Sequence, residues 1–64
     1  MERSITFKNY KGYTTDLRKT LSVRFGLTVK NEQIHKYLNG DIILRADMTD
    51  EQYERIKVWE SEMS

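Results

Sequence analysis

The stretch that decides the fold is residues 24–40, RFGLTVKNEQIHKYLNG. Gly26 stands where the left-handed residue after a helix belongs, so a first helix is predicted to end just before it. After a short turn, the segment resumes with helical spacing and closes at Asn39-Gly40, a typical helix stop. Two helices joined by a short turn that contains glycine form the frame of a helix-turn-helix.

The second of these helices is short, and it begins at Thr28 or Asn31, both of which are residue types that cap helices. Its apolar face follows i, i+3, i+4 spacing and consists of Ile34, Tyr37 and Leu38. About two turns of helix are unstable alone, so packing against the rest of the chain has to hold this element.

The sequence before this stretch predicts a strand and the first helix. Ile5 and Phe7 alternate with polar residues, which predicts a short strand over residues 4–8. The first helix is predicted to begin near Thr14 or Thr15, either of which can cap it. Residues 41–46 form a second strand candidate that can pair with the first one.

The third helix has the clearest start signal in the chain. Thr49 and Gln52 have the spacing of a capping box, and Met48 and Tyr53 have the spacing of a hydrophobic staple. Tyr53, Ile56, Trp59 and Met63 then recur on one side. A helix over residues 49–63 is therefore predicted.

Together these elements predict one α+β domain over residues 1–64, with three short helices and a two-stranded β-ribbon made from residues 4–8 and 41–46. An all-α three-helix domain is the alternative, because both strand candidates are short. A core built from 64 residues is marginally stable without help. Homodimerisation or binding to a larger partner is therefore expected as an added source of stability, and a homodimer is the predicted state.

Composition excludes several classes of site. The chain has no cysteine and one histidine, so it can form neither a disulfide, nor a thiolate metal site, nor a multi-histidine zinc site. It also has no nucleophile-and-base signature, and neither an enzyme nor a cofactor is predicted. No apolar run approaches the roughly 18–20 residues of a membrane span, so no membrane partner is expected. The lack of cysteine fits the predicted cytoplasmic location.

Charge divides the chain into a basic body and an acidic end. Residues 1–45 hold nine Lys/Arg and four Asp/Glu, a net charge of +5. Residues 46–64 hold two Lys/Arg and six Asp/Glu, a net charge of −4. A basic body attracts anionic partners, while an acidic helix repels them from its own side.

Residues 24–40 resemble the helix-turn-helix of small phage repressors, and residues 1–46 are loosely similar to the Cro type. In that resemblance, residues 1–10 correspond to the N-terminal strand entering the first helix, and residues 33–40 to the recognition helix. The resemblance implies a small transcriptional regulator, encoded by a phage or another mobile element, that binds double-stranded DNA as a dimer.

The same resemblance assigns roles to the polar residues of the segment. Gln33 becomes the base reader, because its amide suits a bidentate pair with adenine in the major groove. The expected contacts to phosphates or bases are Lys30, Asn31 and Lys36, and the expected anchors to the DNA backbone are Arg18, Lys19 and Arg24.

A second hypothesis belongs to another class of function. A compact chain rich in charge and aromatic residues can act as a phage-type inhibitor or adaptor that covers a surface of a host protein or defence complex. The acidic last helix is then the working surface, and Tyr53 and Trp59 are residue types common in binding hot spots. The expected interface residues are Tyr53, Trp59, Asp50 and Glu54.

Overall fold

The computed structural model of the protein describes residues 1–63 and contains two α-helices and a three-stranded antiparallel sheet. In chain order the elements are β1 (Glu2–Phe7), α1 (Thr14–Phe25), a 3₁₀ turn (Asn31–Gln33), β2 (Ile34–Lys36), β3 (Ile42–Asp47) and α2 (Asp50–Met63). The strand order is β1-β3-β2, so β3 is the central strand. The predicted architecture of three helices with a two-stranded ribbon is therefore wrong, as is the all-helical alternative.

The predicted second helix is a strand and a hairpin turn. Ile34 pairs with Leu44 of β3 and is buried, whereas Tyr37 and Leu38 are exposed. The i, i+3, i+4 spacing of these apolar residues therefore does not mark one buried face. Gly40 N–H donates to the Tyr37 carbonyl oxygen at 3.0 Å and has a φ of +94°. Asn39-Gly40 thus belongs to a hairpin turn, the other structure that this dipeptide favours.

The two predicted strands lie close to the expected positions. β1 and β3 are antiparallel, with Ile5 opposite Leu44 and Phe7 opposite Ile42. Residues 4–8 and 41–46 thus pair with each other, with strand ends shifted by one or two residues. The prediction lacked β2, which adds to the other side of β3.

The end of α1 and the start of α2 are each marked by a signal in the local sequence. Gly26 has a φ of +65°, and the N–H groups of Gly26 and Leu27 donate to carbonyl oxygens in the last turn of α1, which confirms the predicted stop. The expected Thr14 or Thr15 cap is wrong, because Tyr13 is the N-cap residue and its side chain makes no cap bond.

The capping box of α2 is confirmed in both directions. Gln52 N–H donates to the Thr49 hydroxyl oxygen at 3.1 Å, and Thr49 N–H donates to the Gln52 side-chain oxygen at 3.0 Å. Two of the unpaired N–H groups at the start of the helix are satisfied in this way.

Both helices cover the same face of the sheet. Alternation along β1 and β3 sends Ile5, Phe7, Ile42, Leu44 and Ala46 into the core, while their neighbours in sequence face away. α1 lies against β2, and α2 lies against β1. Leu17, Leu21 and Ile56 complete the core from the helix side. The opposite face of the sheet has no helix from residues 1–63 over it.

Neither helix could cross a membrane: within residues 1–63, the structure has no helix that is both long and apolar enough.

Candidate functional site

Two loops that are distant in sequence meet at one end of the sheet. They are residues 8–13, between β1 and α1, and residues 36–41, at the turn between β2 and β3. Tyr10 N–H donates to the Gly40 carbonyl oxygen at 3.0 Å, and Asn9 N–H donates to the Asp41 carboxylate at 2.8 Å. Lys36 Nζ donates to the Gly12 carbonyl oxygen at 3.3 Å. These two segments together form the basic loop end of the molecule.

The basic loop end combines exposed positive charge with exposed apolar surface. Its cations are Lys8, Lys11 and Lys36, all of which are exposed. The exposed fraction is 75% for Tyr13, 51% for Tyr37 and 109% for Leu38. Exposed apolar side chains beside lysines can contact both the charged and the apolar parts of a partner, so this end of the molecule is a candidate binding surface.

The only acidic residue within the two segments is Asp41, which accepts hydrogen bonds from neighbouring residues. Asp41 is half-buried, and its carboxylate accepts hydrogen bonds from Asn9 N–H at 2.8 Å and from Asn39 Nδ2 at 3.2 Å. The bond from Asn9 joins the two loops, and the bond from Asn39 lies within the second loop. The two segments hold three lysines and one carboxylate, a net charge of +2.

A surface pocket of about 460 Å³ adjoins the basic loop end. Residues 7–12 line one side of it, and Glu60 and Met63 of α2 line the other. The Tyr10 ring packs edge-on against Phe7, with 6.2 Å between ring centroids. The first loop is therefore anchored to the core, while its lysines remain free to meet a ligand.

The structure does not bring the predicted DNA-contact residues together on one helix. Arg18 donates from Nε to the Val29 carbonyl oxygen at 2.9 Å and from Nη1 to Asn31 Oδ1 at 2.6 Å. The Gln33 side-chain oxygen accepts from Lys30 N–H at 2.9 Å. Arg18, Asn31 and Gln33 therefore hold the turn after α1 in place.

The remaining predicted contacts are dispersed. Lys19 and Lys30 are exposed, on α1 and in the turn after it. Arg24 lies over the rings of Phe25 and Trp59, at 5.6 and 5.4 Å from their centroids. Lys36 is the one predicted contact that belongs to the basic loop end. The predicted recognition helix is absent because residues 34–36 are β2.

Three of the residues expected to form a protein interface take part in internal packing. The Trp59 ring is half-buried, with centroids 5.5 Å from Phe25 and 6.0 Å from Phe7. Arg3 is ion-paired with Asp50, and its guanidinium lies 4.7 Å from the Tyr53 ring centroid. Tyr53 and Trp59 therefore seal the edge of the core.

The fourth expected interface residue lies on an exposed surface of α2. Glu54, Val58 and Glu62 are all exposed, with i, i+4, i+8 spacing, and Val58 is 58% exposed. They line a groove of about 330 Å³ between α2 and the end of α1, with Arg24, Phe25, Arg55 and Trp59 as its other lining residues.

The sequence-based prediction missed Lys8, Lys11, Tyr13 and the side chains of the hairpin turn as a group. A signal was present, because Asn39-Gly40 followed by the alternating segment 42–47 is a hairpin signature. With the hairpin assigned, Lys36 and Leu38 move to a strand end and a turn. Their proximity to Lys11 arises from the tertiary structure, which local sequence patterns do not predict.

Comparisons with known proteins give this surface no precedent. No family model, no curated protein and no solved structure matches the chain.

Proposed function

We propose that the protein is a small DNA-binding regulator that contacts double-stranded DNA through the basic loop end. The observation that carries the proposal is the meeting of Lys8, Lys11 and Lys36 with exposed Tyr37 and Leu38 at one end of the sheet. This contact surface replaces the recognition helix expected from the sequence, while the class of partner stays the same.

The lysines supply the non-specific part of binding. Lysine side chains bind phosphates as point charges, and each neutralised phosphate releases condensed counterions from the duplex. Lys8 and Lys11 lie in one loop and Lys36 in the other, so the two segments contact different phosphates. Asp41 keeps its negative charge, so the two segments carry a net charge of +2, and hydrogen bonds from Asn9 and Asn39 hold its carboxylate in place.

The hairpin turn supplies an element that fits a groove of the duplex. Two-stranded β-elements enter DNA grooves in several classes of DNA-binding protein, and leucine is among the apolar residues that wedge between base steps. Leu38 is fully exposed at the turn, beside half-exposed Tyr37. The turn backbone is fixed by the Gly40-to-Tyr37 hydrogen bond, so this apolar tip is already formed before binding.

The proposal includes a homodimer in the cytoplasm. A dimer doubles the number of phosphate contacts and adds avidity to a surface that holds only three lysines. The cytoplasmic location follows from the DNA partner, and a chain without cysteine is compatible with a reducing compartment.

Three of the six lysines of the chain lie in the basic loop end and three lie elsewhere, so two matched triple variants can test the site. Lys8, Lys11 and Lys36 belong to the basic loop end, and Lys19, Lys30 and Lys57 lie elsewhere. Changing either set to alanine removes the same net charge. Fluorescence anisotropy on a labelled duplex over a range of salt concentrations gives affinity and salt slope for each variant. The first variant is expected to bind the duplex much more weakly, with the salt slope reduced by about three for each bound protomer.

The second triple variant is expected to retain nearly all of the affinity of the parent protein. Equal loss in the two variants would show that only net charge matters and would remove the basic loop end as the site. Loss confined to the second variant would favour the residues originally expected from the sequence. Absence of binding by the parent protein at low salt would overturn the DNA proposal itself.

A second candidate function is a protein-binding inhibitor or adaptor acting through α2. The observation in its favour is the exposed row of Glu54, Val58 and Glu62 beside a groove with aromatic walls. An apolar residue flanked by carboxylates suits a partner surface with a basic rim. A partner protein that binds the parent chain and the lysine triple variants, but not a Glu54→Lys/Glu62→Lys variant, would establish this function.

A further inference from the structure

The outer edge of β1 is an unpaired strand edge. β1 is the terminal strand of the sheet, and its six residues pair only with β3. Within residues 1–63, no backbone hydrogen bond outside the β1–β3 ladder involves Glu2, Ser4 or Thr6. Natural proteins protect such edges with proline, a bulge, charged side chains or a covering element. β1 has no proline and pairs with β3 in continuous register.

The backbone geometry tells which groups face outward. Met48 N–H donates to the Met1 carbonyl oxygen at 3.3 Å, continuing the β1–β3 ladder. In an antiparallel ladder hydrogen-bonded positions alternate, so Arg3, Ile5 and Phe7 direct their N–H and C=O groups towards β3. The corresponding groups of Glu2, Ser4 and Thr6 therefore point away from the sheet, ready to pair with another strand.

We propose that β1 pairs antiparallel with β1 of a second copy of this chain, with the two-fold axis at Ile5. In this register Glu2 lies opposite Lys8 of the second copy. Ser4 lies opposite Thr6 of the second copy. Every pair keeps helix-side residues with helix-side residues, as sheet pleating requires. The two copies then share one six-stranded sheet.

Charge complementarity selects this register. Glu2 begins β1, Lys8 directly follows its last residue, and both are exposed, so antiparallel self-pairing brings opposite charges together twice. Glu2 also pairs with Arg45 of its own chain at 3.3 Å, so Lys8 of the second copy would join an existing ion pair. Centring the axis on Ser4 instead would place Glu2 opposite Thr6 and leave Lys8 with no acidic residue opposite it. Arg3 does not block the edge, because it is ion-paired with Asp50 and packed on Tyr53.

This inference names the interface of the homodimer in the proposed function and stands without DNA. The two copies of β1 run in opposite directions, so one basic loop end lies at each end of the shared edge. Its test uses the protein without nucleic acid, so its failure is distinguishable from failure of DNA binding.

Sedimentation equilibrium from micromolar to millimolar concentration provides the test. The parent protein is expected to dimerise. Lys8→Glu places two like-charge pairs across the edge and should raise the dimer dissociation constant about tenfold or more. Adding Glu2→Lys to that variant should restore dimerisation, because the opposite charges face each other again. Lys19→Glu is the matched control, since α1 lies over β2 at the far side of the sheet.

A second variant examines the backbone pairing. Ser4→Pro removes an outward N–H donor and leaves the ladder with β3 intact, so a folded monomer is expected. Circular dichroism confirms folding of each variant. A parent protein that stays monomeric at every concentration would overturn the proposal. A dimer that resists both Lys8→Glu and Ser4→Pro would overturn it as well, because its interface would then lie elsewhere.

Discussion

At the scale of single residues, the two glycines that end predicted helices had different roles. Gly26 and Gly40 both have positive φ, +65° and +94°. Gly26 was interpreted correctly because a helix precedes it, and its stop depends on local backbone only. Gly40 ends a turn that lies against Asn9, where an added Cβ would meet the Asn9 side-chain oxygen at 3.1 Å. That contact between distant residues leaves no local signal in the sequence.

The role of Trp59 is also a question at the residue scale. Its ring packs between Phe25 and Phe7, with Arg24 over its face. Trp59→Ala is expected to lower the free energy of unfolding by about 3 kcal/mol, at the lower end for such truncations because the ring is half-exposed. Thermal and urea melts measure the loss, and Val58→Ala is the neighbouring control.

Val58 is mostly exposed, so its truncation should change stability by no more than about 0.5 kcal/mol. If Trp59→Ala leaves stability unchanged but abolishes binding of a protein partner, Trp59 is an interface residue. The inhibitor or adaptor function would then replace DNA binding as the better account.

At the scale of elements, the prediction of α2 was confirmed, whereas β2 was missed. The start of α2 is encoded within four residues by the capping box, which needs no other part of the chain. β2 has three residues, and what makes it a strand is its ladder with β3. Because Ile34, Tyr37 and Leu38 also match helical spacing, local sequence favoured the wrong element until its pairing partner was known.

The capping box gives a prediction at this scale. Thr49→Ala should cost about 0.5–2 kcal/mol, because one N–H of the first turn of α2 loses its acceptor. Thr15→Ala is the control, since α1 has no side-chain cap bond and Thr15 is exposed. Urea unfolding should show a loss for the first variant and almost none for the second. Equal losses in the two variants would mean that the capping bonds of Thr49 add nothing to the free energy of unfolding.

At the scale of the whole molecule, the sequence indicated a basic body but not where its charge would concentrate. Of the seven expected DNA contacts, only Lys36 lies in the basic loop end, while Arg18, Asn31 and Gln33 stabilise the turn after α1. The cause is the sheet: once residues 34–36 pair with β3, the hairpin turn lies beside the loop after β1. Charge totals along a chain carry no information about that juxtaposition.

The central claim is that DNA meets the loops at the end of the sheet and not the segment after α1. A titration of the ¹⁵N-labelled protein with a short duplex, followed by amide chemical shifts, tests it most directly. Shift changes concentrated in residues 8–13 and 36–41, with residues 18–33 unchanged, are the predicted result. Changes concentrated in residues 18–33, or no changes at low salt, would contradict the account.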